Sequence, residues 1–165
     1  MKSFAQQGQR GLGADFHAPC GRSFIGLLAA FRATGGTAPG AIVGQLLEEH
    51  QVGSAVSLAK LIYTGQAFGF EWRDSLWLPM FQFDANDLGL KPCVQRVRAE
   101  LPLLWSGWAL AWWFAGSNAR LDGRSPADVI DSDPNAVIWT AQSLEFGDGF
   151  ALSPARRTHA VAAQA

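Results

Sequence analysis

Apolar residues recur along this chain at helical spacing, broken once by a stretch that alternates as a strand does. Phe24, Leu27, Leu28 and Phe31 follow the i, i+3, i+4, i+7 rhythm, predicting a first helix capped by Ser23 and stopped at Gly35 and Gly36. Thr37 and Pro39 open a second helix with Ile42, Val43, Leu46 and Leu47 inward and Glu48 and Glu49 outward. A turn at Val52-Gly53-Ser54 leads to a third, striped by Leu58, Leu61 and Ile62 and stopped by Gly65.

The period then changes. Ala67 to Trp72 and Leu76 to Phe83 are extended and aromatic, and Arg73-Asp74-Ser75 separates them, which predicts a β-hairpin. Pro79 has no N–H to give to a ladder, so its strand is expected at an edge or with a bulge. A lone hairpin is marginal in water and must pack on helices.

Pro92 suits the first turn of a fourth helix, with Val94, Val97 and Leu101 on one side and Pro102 ending it. Ser106 or Gly107 starts a fifth that is apolar nearly all round, from Trp108 through Ala115, as expected of a central helix covered on several sides. After the loop Gly116 to Arg124, Ser125, Pro126 and Asp128 form a capping-box-like start for a short helix. Asp133 and Pro134 repeat the device for a last helix with Val137, Ala141 and Leu144 inward and Gly147 as its stop.

The fold class that follows is mainly α, a small helical bundle with one β-hairpin. The expected organisation is a disordered leader over 1–22, one globular domain over 23–149 and a disordered tail over 150–165. Within the domain, 23–65 is helical and shaped like a helix-turn-helix, 66–84 is the hairpin, and 91–149 is a second helical part. A chain that is 48% hydrophobic and 16% charged is not disordered throughout.

Charge narrows the function classes. Thirteen Lys and Arg stand against 14 Asp and Glu, so no basic surface of DNA-binding strength is expected. The helix pair over 39–64 offers Lys60 alone against Glu48 and Glu49, whereas phosphate binding draws on several cations. DNA remains a possible partner that charge does not support. Leu101 to Ala119 carries no charge over 19 positions, yet Pro102, Gly107 and Gly116 interrupt it, and no membrane span is expected. Two cysteines in a chain with a core of this size read as reduced thiols in the cytoplasm.

Catalytic and metal signatures are weak. His17 and Cys20 have ligand-like spacing, but His50, Cys93 and His159 lie far apart, so no metal site and no cofactor is expected. No nucleophile elbow, phosphate loop or His-Glu-x-x-His occurs, and no catalytic residue is assigned. Asp122, Asp128, Asp131 and Asp133 sit where helix starts want acceptors, so capping or solvation explains them. Seven Trp exceed ordinary packing needs, and at least one pair is expected to face a partner.

Two stretches carry a resemblance. FEWRDSLWLPMFQFD, followed by VQRVRAELPLLWSGWALAWWFAGSNARLDGRSPADVIDSDPNAVIWTA, is similar to the Xre/MbcA/ParS-type toxin-binding domain of bacterial type II antitoxins. The shared features are the aromatic strand with Leu-Pro-x-Phe-Gln-Phe, the Trp-rich helix, and Asn118, Leu121, Gly123, Pro126 and Asp128 before the last helix. The likeness covers about residues 37–146; Gln142 to Phe146 departs from it by carrying no basic residue.

The resemblance implies a mostly helical, oligomer-forming antitoxin that binds a RES-domain toxin, an enzyme that consumes NAD. It implies a partner-binding segment comprising Asn118, Arg120, Leu121, Arg124, Pro126, Asp128 and the last helix with Trp139. Gly123, Pro126 and Leu121 also read as loop formers, whereas Arg120 and Arg124 suit direct contact because interfaces favour Arg. The expected function is therefore non-enzymatic sequestration of a toxin. The alternatives are a DNA-binding regulator, an orphan protein-binding module, or a small enzyme built on Cys93 or His50.

Overall fold

The computed structural model describes residues 20–50 and 57–146. They form a mainly helical fold around a small antiparallel sheet. The expected turn at Val52-Gly53-Ser54, the stop at Gly147, most of the leader and the tail over 150–165 lie outside the described residues.

Helix α1 spans Gly21–Ala30. It begins earlier than its apolar stripe suggests: Cys20 holds the cap position and Ser23 lies inside the first turn. A 3-10 turn at Arg32–Thr34 follows, and Gly35 and Gly36 then break the rotation at φ values of 95° and 76°, where a Cβ is strained.

Thr37 and Pro39 do not open a helix. Thr37–Pro39 is strand β1, and helix α2 starts only at Gly40 and runs to His50. Helix α3 is Leu58–Tyr63, capped by Ser57, with Gly65 at φ 68° just beyond it. The predicted hairpin is present as β2, Phe70–Trp72, and β3, Ser75–Pro79. Arg73 and Asp74 both adopt positive φ, 48° and 60°, the pattern of a two-residue turn whose twist matches the strands it joins.

The hairpin is two-thirds of the sheet. Strand order is β1-β3-β2, with Thr37 opposite Pro79 on one side and Phe70 opposite Trp77 on the other. The strand bearing Pro79 is thus central, not an edge, and Pro79 is tolerated because it is the strand's last residue. The ladder toward β1 closes one residue later, where Met80 N–H donates to the Gly36 carbonyl at 2.9 Å.

On the β2 side the register would next place Phe68 against Pro79, whose missing N–H leaves that rung incomplete. Gln82 fills it. Phe81-Gln82-Phe83 does not continue the strand; Met80–Gln82 is a 3-10 turn that folds the Gln82 side chain back into the interior. Its Oε1 accepts from Phe68 N–H at 2.9 Å, and its Nε2 donates to the carbonyls of Phe68 and Pro79 at 2.8 and 2.9 Å.

Strand β3 divides two cores by its period of two. Leu76 and Leu78 face the cluster of Val43, Leu47 and Leu61 from α2 and α3. Trp77 faces the larger cluster built on α5, Gly107–Ala115. Ser106 caps α5, whose Leu110, Ala111, Trp113 and Phe114 are buried, so it is the central covered helix its composition predicts. Phe114 stacks on Phe68 at 5.3 Å and meets Phe81 at 4.9 Å, and Phe81 stacks on Phe31, just past α1, at 5.6 Å.

Helix α4, Pro92–Glu100, carries Val94 and Val97 into the same core and ends as Leu101 turns extended ahead of Pro102. No helix among the described residues is long and apolar enough to cross a membrane. The described chain closes with α6, Pro126–Val129, and α7, Pro134–Gln142, followed by a 3-10 turn at Ser143–Phe146.

Candidate functional site

The segment from Asn118 to Asp128 is held by its own backbone. Asn118 Oδ1 accepts from Arg120 N–H at 2.9 Å and starts a 3-10 turn at Ala119–Leu121. The Asn118 carbonyl accepts from Leu121 and Gly123 N–H, and Asn118 N–H donates to the Arg124 carbonyl at 3.0 Å. Closing so tight a loop demands the left-handed conformation twice in succession, at Asp122 and Gly123 with φ 56° and 77°.

Leu121, 2% exposed, is the loop's apolar anchor. Ser125 and Asp128 complete the predicted capping box: Ser125 Oγ accepts from Asp128 N–H, and Asp128 Oδ2 accepts from the Ser125 backbone N–H at 3.4 Å and also from its hydroxyl at 2.6 Å. Pro126 is buried at the first helical position. Asn118, Leu121, Pro126 and the Asp128 carboxylate are therefore occupied in shaping the loop.

Arg120, Arg124 and Trp139 remain outward. Asp133 caps α7 by accepting from Ala136 N–H at 3.0 Å, which orients Val137, Thr140 and Ala141 inward. Trp139 is consequently turned out and keeps 61% of its surface exposed. The Arg120 guanidinium lies over its ring, 5.5 Å from the centroid. Loop and helix thus bring two residues of the expected partner-binding segment into one amphipathic patch. Arg124 is exposed four residues further along the loop. Of the seven Trp, Trp139 is the exposed one, so the expected outward pair of Trp is not formed; the exposed ring stands alone among the Trp and is covered on one side by Arg120.

A second feature joins residues far apart in sequence. Lys91 Nζ pairs with Asp131 at 2.7 Å across an open cleft of about 590 Å³ that Thr34, Phe81, Asp84, Leu88 and Asp128 also line. Asp131 is thus an ion-pair residue rather than a cap. Asn86 donates backbone and side-chain N–H groups to Asp84 and holds its carboxyl below the usual carboxylate range, helped by the Lys91 charge. No signal in the sequence joins these positions, because the Lys91 and Asp131 partners are 40 residues apart.

The thiols lie elsewhere. Cys93 is partly buried against the core, and Cys20 is exposed at the start of α1 with Sγ 3.3 Å from Ser23 Oγ. The Ser23 hydroxyl, with backbone N–H groups of the first turn, holds the Cys20 thiol below its ordinary range. Among the described residues no three His, Cys, Asp or Glu side chains are grouped so as to hold a metal ion. Set against protein-family models, curated proteins and solved structures, the chain matches none.

Proposed function

We propose that the protein is a non-enzymatic binding module that sequesters a RES-type NAD-consuming toxin, presenting the Arg120–Trp139 patch to it. The observation that carries the docking part is that patch: a Trp on a rigid helix, 61% exposed, with an Arg laid over its ring. Trp and Arg are the residue types that most often dominate binding energy at interfaces. The loop behind them is ordered before any partner arrives, so little conformational freedom is lost on docking. The toxin part rests on the residues shared with the antitoxin domain, Asn118, Leu121, Gly123, Pro126 and Asp128.

The test is co-purification with a RES-domain protein from the same source, with NAD consumption followed as the complex is titrated. A stable complex that suppresses NAD loss is expected. Covering the exposed part of the Trp139 ring is worth about 2–3 kcal/mol at 25 cal/mol per Å², so Trp139→Ala is expected to weaken binding at least about 30-fold. Absence of both complex and suppression at micromolar protein overturns the toxin assignment. A complex indifferent to Trp139→Ala and Arg120→Ala overturns the docking patch.

A further inference from the structure

The Arg120 guanidinium is held in place without being neutralised. It lies over the Trp139 ring, a contact that engages its charge but none of its N–H donors. Arg120 is exposed, and its side-chain donors have no hydrogen-bond acceptor among the described residues; only its backbone N–H is bonded, to Asn118 Oδ1. The ion pair among the described residues joins Lys91 to Asp131, so Asp122, two residues on from Arg120, does not answer the charge. A positioned cation with accessible, unused donors is left at the surface.

Helix α7 supplies the rest of that surface and brings no charge to it, since Pro134–Gln142 contains no ionisable residue. Asn135 and Gln142 stand four residues before and three residues after Trp139, spacings that share a helix face, and both are exposed. The outward face of α7 is thus an indole between two carboxamides, with a guanidinium over the indole. Arg124 adds a second exposed cation on the same loop.

Charge complementarity selects the occupant. An Arg fork with carboxamides beside it donates N–H groups to a carboxylate, and the bare part of the indole takes an apolar neighbour of that carboxylate. A phosphate offers similar acceptor oxygens, but a nucleic acid brings a row of them. Asp122, Asp128 and Asp133 stand on the same stretch as Arg120 and Arg124 and would repel such a row, whereas a single carboxylate needs only the one cation.

We propose, resting on the docking patch put forward above, that the partner protein is anchored there by an Asp or Glu side chain that pairs with Arg120. An aliphatic or aromatic side chain next to that acid covers the Trp139 ring, and Asn135 and Gln142 flank the pair as further donors. Arg120 then decides between an acidic and a neutral contact.

The probes are the blocked dipeptides acetyl-Glu-Phe-amide and acetyl-Gln-Phe-amide, near-isosteric and different in charge. Each is titrated into the full chain while the Trp139 indole N–H, the Arg120 Nε–H and the Leu121 methyl resonances are followed by NMR. Leu121 is buried and reports an intact loop. The Glu peptide is expected to shift the Trp139 and Arg120 signals saturably at millimolar concentration, with the Gln peptide about threefold weaker. In Arg120→Gln, with the Leu121 signals as in wild type, the two peptides are expected to bind alike. Equal binding of both by the wild-type chain, no shift from either, or a preference for Glu that survives Arg120→Gln overturns the proposal. A thymidine oligonucleotide that moves the same signals at lower concentration than the Glu peptide overturns the choice of a protein partner. A chain that prefers the Glu peptide yet forms no complex with a RES-domain protein loses the toxin assignment alone; one that forms the complex without the preference loses the carboxylate alone.

Discussion

Replacing Gln82 by Met removes one carboxamide and orphans three buried backbone groups. Gln82 is 0% exposed and bridges Phe68 N–H, the Phe68 carbonyl and the Pro79 carbonyl at the rung where Pro79 cannot donate. Met has nearly the same length and no comparable polar group to offer, so packing is conserved and the hydrogen bonds are isolated as the cause. A buried backbone group left unpaired costs about 1–3 kcal/mol, so three of them place Gln82→Met about 3–9 kcal/mol below wild type. That is a large share of the roughly 5–15 kcal/mol that holds a domain of this size together. Urea unfolding followed by Trp fluorescence reads it directly, with the slope unchanged and the midpoint lowered. A loss under about 1 kcal/mol would refute the claim that Gln82 completes the ladder, since a surface amide costs no more.

Gln82→Glu adds a pH test with a definite sign. When protonated, the carboxyl introduced by this substitution can accept from Phe68 N–H and donate to one carbonyl; when ionised, it faces two carbonyl oxygens without a donor. Its folded pKa is therefore raised above the unfolded value of about 4.3. The stability is fully present below that pH and is lost as pH rises through the folded pKa, so this variant is expected closer to wild type at pH 4 than at pH 7.

Other outcomes follow from single contacts. Gly107→Ala is expected to destabilise strongly despite the better helix propensity of Ala, because a Cβ there would overlap the Gly69 carbonyl oxygen; thermal unfolding checks it, and an unchanged Tm contradicts the close approach of α5 to the chain entering β2. Ser23→Ala is expected to raise the pH at which iodoacetamide alkylates Cys20 at half its maximal rate, with Cys93 as the internal reference, since the Ser23 hydroxyl is the leading cause of the lowered thiol. Asn86→Ala is expected to move the Asp84 carboxyl up toward the ordinary carboxylate range, read by NMR titration.

What was legible in the sequence is chemistry completed within one turn. Ser106, Ser125 and Asp133 each cap a helix by accepting an N–H three residues ahead, and Pro92, Pro126 and Pro134 stand at first-turn positions, so each start could be read from a handful of letters. Ser23 shows the limit of that logic. It has a capping side chain and an apolar stripe after it, yet the helix extends back to Gly21, because a stripe marks the buried face and not the length of the coil. Strand β1 was illegible for a different reason: Thr37-Ala38-Pro39 is too short to alternate, and it is a strand only because β3 lies beside it.

The alternation of Phe81, Gln82 and Phe83 misleads in the same way, since a period of two predicts a strand wherever it occurs and is silent on where the ladder runs out. Pro79 is the residue that ends it, and Gln82 is the consequence. A chain that places Pro at the end of a central strand leaves a carbonyl on the neighbouring strand without its donor, and that donor must come from a side chain folding back within a few residues. Read this way, Leu-Pro-x-Phe-Gln-Phe is a single device in which the Pro creates the deficit, the 3-10 turn reverses the chain, and the Gln supplies both donor and acceptor. The Arg120–Trp139 patch is the opposite case. Nothing local joins its two residues; they meet because Leu121 pins the loop to the core while Val137 and Ala141 pin α7, leaving Trp139 outward beneath the guanidinium. A motif whose partners lie within one turn therefore explains the fold. A surface assembled by two separately anchored elements is where function has to be sought, and it becomes visible only once the core that anchors them is known.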